Sequence, residues 1–121
     1  MEIIFAKQYL KDLHITGKTT EKKYRFQPDI IKRYRKTVDR LAATNKIEDL
    51  YTIQSLKYEK LKGDKKGISS VRVTDKYRIE FEEIMVNGED YVSICNIMEL
   101  SNSCFNIYRI TFFIGISFTN L

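Results

Sequence analysis

The stretch Ser70-Val71-Arg72-Val73-Thr74-Asp75-Lys76-Tyr77-Arg78-Ile79-Glu80-Phe81-Glu82 decides the fold. Val71 and Val73 alternate with Ser70 and Arg72, and Tyr77, Ile79 and Phe81 alternate with Arg78, Glu80 and Glu82. That is the period of half-buried strands, so the two runs read as an antiparallel hairpin reversing at Asp75 and Lys76. Register matters here because a one-residue slip sends every side chain to the opposite face. A three-residue loop pairing Val73 with Tyr77 sets Val71 against Ile79 and Arg72 against Arg78. A two-residue loop pairing Val73 with Lys76 would set Arg78 against Val71 and mix the faces. The first register keeps one face apolar and is the one expected. Two arginines directly opposite repel, so an anion or a carboxylate is expected between them, with Glu80 and Glu82 the structural candidates.

Working outward, Asn87-Gly88 is a strong turn dipeptide and joins the second arm to a nearly continuous apolar strand from Tyr91 to Met98. Upstream, Lys57 to Lys62 is a candidate strand and Gly63 to Gly67 a turn. Pro28 opens a long helix, since its missing N–H costs nothing in the first turn. Ile30, Tyr34, Val38 and Leu41, widened by Ile31 and Ala42, form an apolar stripe for a sheet, with Lys32, Arg33, Lys36 and Arg40 on other faces. Ile47 to Ile53 adds a further helical turn. Before these, Glu2 to Lys7 reads as a first strand and Gln8 to Leu13 as a short helix closed by Gly17. The expected architecture is α+β: an N-terminal strand and two helices packed on one face of a mainly antiparallel sheet of four or five strands. The other face is then free for a ligand.

Composition narrows the function classes. A chain of 121 residues allows one domain, since domains commonly run to about 100 to 150 residues. With 43% hydrophobic and 31% charged residues, one Pro and five Gly, it is a folding sequence rather than a disordered one. No apolar run approaches the roughly 20 residues of a membrane-spanning helix, so no membrane role is expected. One His and two separated cysteines, Cys95 and Cys104, offer no zinc cluster, and neither a metal nor another cofactor is expected. No leader is visible over Met1 to Ala6, which points to reducing cytoplasm. The net charge of +5 conceals a division: residues 7 to 66 carry 17 basic and 8 acidic side chains, +9, and residues 67 to 100 carry 3 and 7, −4. A basic half of this kind attracts polyanions, nucleic acid above all, or is simply a solvated helix surface.

The hairpin face carries the candidate chemistry. Lys60, Lys62, Lys65 and Lys66 precede it and are expected along its edge, beside Arg72 and Arg78. Attack of a 2′-hydroxyl on the neighbouring phosphate makes a phosphorane with extra negative charge, which fixed cations stabilise more than the ground state. Glu59 is the candidate base for the 2′-hydroxyl proton. Tyr58 reads as core, and His14, the lone imidazole, as a solvated or capping side chain.

Together, Tyr58-Glu59-Lys60-Leu61-Lys62-Gly63-Asp64-Lys65-Lys66-Gly67, Ser70-Val71-Arg72-Val73, Tyr77-Arg78-Ile79-Glu80-Phe81 and Ile97-Met98-Glu99-Leu100-Ser101-Asn102 resemble the HigB branch of the RelE/ParE toxin superfamily, the plasmid-maintenance killer proteins. The resemblance covers the second half of the chain well and the helical half in outline. It implies a RelE-like fold and the toxin of a type II toxin-antitoxin system, a metal-independent endoribonuclease that cleaves messenger RNA on the ribosome. Its implied partners are mRNA, the ribosome and a helix-turn-helix HigA-like antitoxin. By the same resemblance Lys62 is the lysine of the LKGD motif and Arg78 the arginine that contacts the scissile phosphate. The resemblance thus implies catalytic roles for Arg78 and Lys62, to which the reading of the hairpin face adds Glu59 as the base and Arg72, Lys60, Lys65 and Lys66 as RNA-binding residues. Glu59 stands where some relatives have a catalytic histidine.

Relatives also close this strand with His-Tyr after Ser-Asn, whereas here Ser103, Cys104 and Phe105 follow Asn102. The activity therefore stays open between an attenuated nuclease, a non-catalytic module that binds antitoxin or ribosome, and a ParE-like gyrase inhibitor. The chain divides into a toxin domain over residues 1–102 and an atypical apolar extension over 103–121. In the extension Ile110, Phe112, Ile114, Ile116 and Phe118 alternate as in a strand. Such a segment is expected either to add a strand to the sheet or to drive self-association. Cys104 reads as an incidental thiol.

Overall fold

The computed structural model describes residues 1–100. The extension 103–121, with Cys104 and its expected strand, lies outside the described residues, as do Ser101 and Asn102. Five strands, β1 (Glu2–Phe5), β2 (Glu59–Lys60), β3 (Ile68–Arg72), β4 (Tyr77–Val86) and β5 (Glu89–Glu99), form one sheet in the order β1-β5-β4-β3-β2. Every pairing is antiparallel except β1 with β5. Helices α1 (Gln8–Ile15) and α2 (Pro28–Ala43) cover one face, and short 3₁₀ turns occupy Ile47–Thr52, Gln54–Leu56 and Gly63–Lys65. This is the α+β architecture expected, with five strands. Among the described residues no helix is long and apolar enough to cross a membrane.

The helices form where spacing and end signals agree. Pro28 sits in the first turn of α2 with Asp29 against the positive end of the helix dipole. Ile30, Tyr34, Val38 and Leu41 are buried as the stripe requires, while Ala42 turns out to be exposed. Tyr34 donates its hydroxyl to Leu10 O at 2.7 Å, which joins α2 to α1 without leaving a buried donor unmet. Tyr9, Leu10 and Leu13 bring α1 into the same core. Its end is held by Arg35, which donates to His14 O at 3.0 Å and Ile15 O at 3.2 Å. His14 Nε2 lies 2.8 Å from Asp39 Oδ1, so the imidazole ties the two helices together rather than capping one of them.

The hairpin adopts the three-residue-loop register. Val71 pairs with Ile79 and Arg72 with Arg78, and Val73 N–H donates to Tyr77 O at 2.9 Å. The next hairpin turns on Asn87 at φ 52° and Gly88 at φ 80°, the two positive angles of a type I′ turn. A Cβ on Gly88 would meet no atom within 4 Å. Gly88→Ala should therefore cost only the backbone strain, about 1 kcal/mol, read as a small drop in the urea midpoint with an unchanged slope.

The near-continuous apolar run of β5 lies inside the sheet between β1 and β4, and its register shifts between Glu80 and Phe81, which pair with Asn96 and Ile94 and leave Cys95 as an extra residue. The bulge changes the strand's phase, so Ile97 and Ile94, an odd spacing apart, both reach the helix-side core with Val92. The strand expected over Lys57 to Lys62 shrinks to Glu59–Lys60, because Lys57 takes a left-handed backbone at φ 46° and Lys62 leads into the Gly63–Lys65 turn.

Candidate functional site

Strand pairing assembles a polar row across the sheet face away from the helices. Glu59 of β2 pairs with Ser70 of β3, Ser70 with Glu80 of β4, and Glu80 with Asn96 of β5. The next row on that face is Arg72, Arg78 and Met98. Alternation along β2 sends Lys60 to the opposite face. There its ammonium lies 3.9 Å from Glu83 Oε1, in a cluster where Ser69 Oγ donates to Glu83 Oε2 at 2.6 Å and the Tyr58 hydroxyl donates to the same oxygen. Lys60 is thus separated from the other expected RNA ligands by the sheet itself. Tyr58 is half-buried against the core, and burial followed by the Glu83 contact pushes its hydroxyl well above the usual tyrosine range.

Arg78 is the main surprise. The expectation of a guanidinium standing on a free face is overturned: Arg78 is 4% exposed, beside Ser70 at 1% and Glu80 at 7%. It lies along the sheet, where Nε donates to Ser70 Oγ at 2.9 Å and Nη2 donates to Lys57 O at 2.6 Å and Ser70 O at 3.3 Å. A charge removed from water needs such acceptors, and the mid-sheet position supplies them. The carboxylates are arranged differently from expectation as well. Arg72 pairs with Asp75 in the hairpin loop, and Glu80 Oε2 holds Lys65 Nζ at 2.7 Å. The facing arginines thus each have acceptors of their own, Asp75 for Arg72 and the Ser70 and Lys57 oxygens for Arg78.

Lys62 and Lys66 flank the Gly63–Lys65 turn, are exposed, and form no ion pair among the described residues. The Lys65–Glu80 contact ties that turn to the sheet, which brings the loop cations to the edge that carries Glu59. Among the described residues Glu59 has the least satisfied buried side chain. Its Oε1 is buried without a hydrogen-bond partner, alone in this among the buried side-chain polar atoms of the described residues. An orphaned buried acceptor costs roughly 1–3 kcal/mol and calls for a reason beyond stability. The structure thus brings Glu59, Arg78, Arg72 and Lys65 to one face, sets Lys62 and Lys66 in the adjoining loop, and leaves Lys60 and His14 out. Sequence reading missed Ser70 and the Lys57 carbonyl, which carry no chemical signature of their own. Cys95, with its thiol 3.3 Å from Ser93 O, is pushed up by burial and is a poor nucleophile.

Comparison with known proteins follows the same line. A family model described as the RelE-like toxin of the type II toxin-antitoxin system HigB matches residues 3–94. No curated protein matches the chain. Among solved structures, a YoeB/ParE toxin from Agrobacterium tumefaciens is similar over 84% of this chain and 100% of its own, at 14% identity and a TM-score of 0.51, which is a likeness of fold. YafQ from E. coli strain BL21(DE3) is similar over 81% of this chain and 91% of its own, at 13% identity and a TM-score of 0.48. The YoeB dimer from Staphylococcus aureus covers 84% of this chain and 98% of its own, at 17% identity and a TM-score of 0.45.

Proposed function

The chain belongs to the RelE-like HigB family of type II toxin-antitoxin toxins, and from that premise we propose that it is a metal-independent endoribonuclease cleaving messenger RNA on the ribosome in the cytoplasm, restrained by a HigA-like helix-turn-helix antitoxin. Membership itself implies an antitoxin partner; the RNA chemistry is our reading of the site. The observation that carries it is the buried, unpartnered Oε1 of Glu59 in the row next to Arg78. Glu59 takes the proton of the 2′-hydroxyl as its oxygen attacks phosphorus. The P–O5′ bond breaks, the 5′-oxygen takes a proton from solvent, and the products are a 2′,3′-cyclic phosphate and a 5′-hydroxyl end. Lys62 and Lys66 hold the RNA backbone from the loop, with Arg72 at the rim.

Burial does not disable Arg78 in this scheme. Unit charges about 5 Å apart attract by about 3 kcal/mol at an effective dielectric of about 20, roughly a hundredfold in rate. A permanent charge lying beneath the phosphorane can therefore act without leaving the sheet.

Glu59→Gln should slow cleavage of mRNA on translating ribosomes by about 100-fold or more. It should not lower the melting temperature, since the amide is isosteric and removes the cost of enclosing a charge. Cleavage at the parent rate would remove the proposal. A second reading, a family member that binds antitoxin or ribosome without cutting, is favoured by the engagement of Arg78 with Lys57 and Ser70 and of Lys65 with Glu80. Under that reading the antitoxin-free chain stalls translation and leaves the mRNA intact by primer extension.

A further inference from the structure

The left-handed backbone at Lys57, φ 46°, does more than end the lead-in to β2. Outside glycine, asparagine and aspartate this conformation is uncommon and strained, and it persists where the surroundings enforce it. Here it follows the Gln54–Leu56 turn and stands two residues before Glu59. Its consequence is a carbonyl aimed at Arg78, whose Nη2 donates to Lys57 O at 2.6 Å. The same guanidinium is pinned at Nε by Ser70 Oγ at 2.9 Å, and Ser70 is the residue that pairs with Glu59 across β2 and β3. The arginine fork is planar, so bonds from Nε and Nη2 to acceptors on two segments fix both its plane and its place. Those two segments are the lead-in to the strand bearing Glu59 and the strand beside it.

We propose that the Lys57 carbonyl and the Ser70 hydroxyl form a clasp on Arg78 that sets the separation between the Arg78 charge and the Glu59 carboxylate, making Lys57 and Ser70 positioning residues. The inference rests on the nuclease reading for its consequence and on the hydrogen bonds for its geometry. It explains why a lysine occupies a backbone conformation suited to glycine, and why a hydroxyl sits fully enclosed in the middle of the sheet. Misplacing reacting groups by about 1 Å can lower a rate by about 100-fold. The clasp should therefore govern turnover more than RNA binding.

The test uses the full chain freed of antitoxin, with Ser70→Ala, Lys57→Val and Lys57→Gly variants. Ser70→Ala removes one acceptor, and Lys57→Val opposes the left-handed backbone through its branched side chain. Lys57→Gly keeps both the carbonyl and the conformation. Ser70→Ala and Lys57→Val should cleave RNA roughly 10- to 100-fold more slowly, with KM within about twofold of the parent, while Lys57→Gly cleaves at the parent rate. The Arg78 Nε–H resonance should be protected from exchange in the parent and lose protection in Ser70→Ala, and the Nη–H resonances should be protected in the parent and in Lys57→Gly and lose protection in Lys57→Val. Unchanged cleavage in Ser70→Ala and Lys57→Val, or equal damage in Lys57→Val and Lys57→Gly, overturns the clasp. If the parent itself fails to cut RNA, the nuclease reading falls. In that case the guanidinium signals still decide the clasp, because Nε–H protection retained in Ser70→Ala together with Nη–H protection retained in Lys57→Val refutes it. Should Ser70→Ala not fold, the two Lys57 variants decide alone.

Discussion

Arg78→Ala should abolish growth arrest and lower RNA cleavage by at least about 100-fold, and should also lower stability by about 3 kcal/mol. Sequence reasoning alone expects the fold to be untouched by this change, because it places the side chain in solvent. The structure says otherwise. Removing the guanidinium strands Ser70 Oγ and Lys57 O in an enclosed site, and hydrogen bonds to a charged group are worth roughly 1.5–3 kcal/mol each. For a domain of this size the melting temperature should drop by roughly 10 °C. Arg78→Lys separates charge from geometry. Lysine keeps the unit charge but cannot reproduce a planar fork bonded at two nitrogens, so it should restore part of the stability and little of the cleavage. Normal RNA cutting by a folded Arg78→Ala chain would end the electrostatic account. An equal recovery of stability and cleavage in Arg78→Lys would show that a point charge suffices and orientation does not matter.

The contrast between the legible and the hidden parts of this site is physical. The hairpin register was readable because Val71 and Val73 on one arm and Tyr77, Ile79 and Phe81 on the other allow only one alignment with a clean apolar face. Asn87-Gly88 was readable because few residue pairs tolerate two positive φ angles. The bulge at Cys95 left no such trace: an apolar run that changes phase looks, in one dimension, like a strand buried on both faces. Lys60 was misplaced for a related reason. Proximity in sequence groups it with the loop lysines, while a two-residue strand sends neighbours to opposite sides of the sheet. Arg78 was assigned to the correct face but the wrong depth, since its enclosure depends on a carbonyl 21 positions away on a residue whose backbone angle no composition rule anticipates. In the sequence Glu59 is only a carboxylate beside the loop lysines. The property that singles it out, an unpartnered buried oxygen, exists only in three dimensions.

Between about pH 10 and about pH 12 the chain should lose stability steeply, and three of its tyrosines are the reason. Tyr9 and Tyr34 are almost fully enclosed, and Tyr58 is half-buried against the same core. Burial first, and the neighbouring Tyr24 hydroxyl second, pushes Tyr9 up to about 12. Burial raises Tyr34 further, and burial with the Glu83 contact raises Tyr58. In the unfolded chain each ionises near the ordinary value of about 10. Above that pH the unfolded state binds fewer protons than the folded one, so stability falls as pH rises; below it the contribution is fully present. Tyr9 alone accounts for about 2 to 3 kcal/mol across its window, at about 1.4 kcal/mol per pH unit. Against a total of roughly 5–15 kcal/mol for a small domain, three such groups are enough to unfold it before the native tyrosines ionise. Urea midpoints taken at intervals from about pH 8 to about pH 11.5 should stay level and then collapse. Tyr34→Phe should lower stability at neutral pH by about 1 kcal/mol through the lost bond to Leu10 O, yet flatten the alkaline slope, so the two curves converge at high pH. Parallel curves for the parent and Tyr34→Phe would mean that this hydroxyl reaches water in the folded chain and that the core is not closed around it.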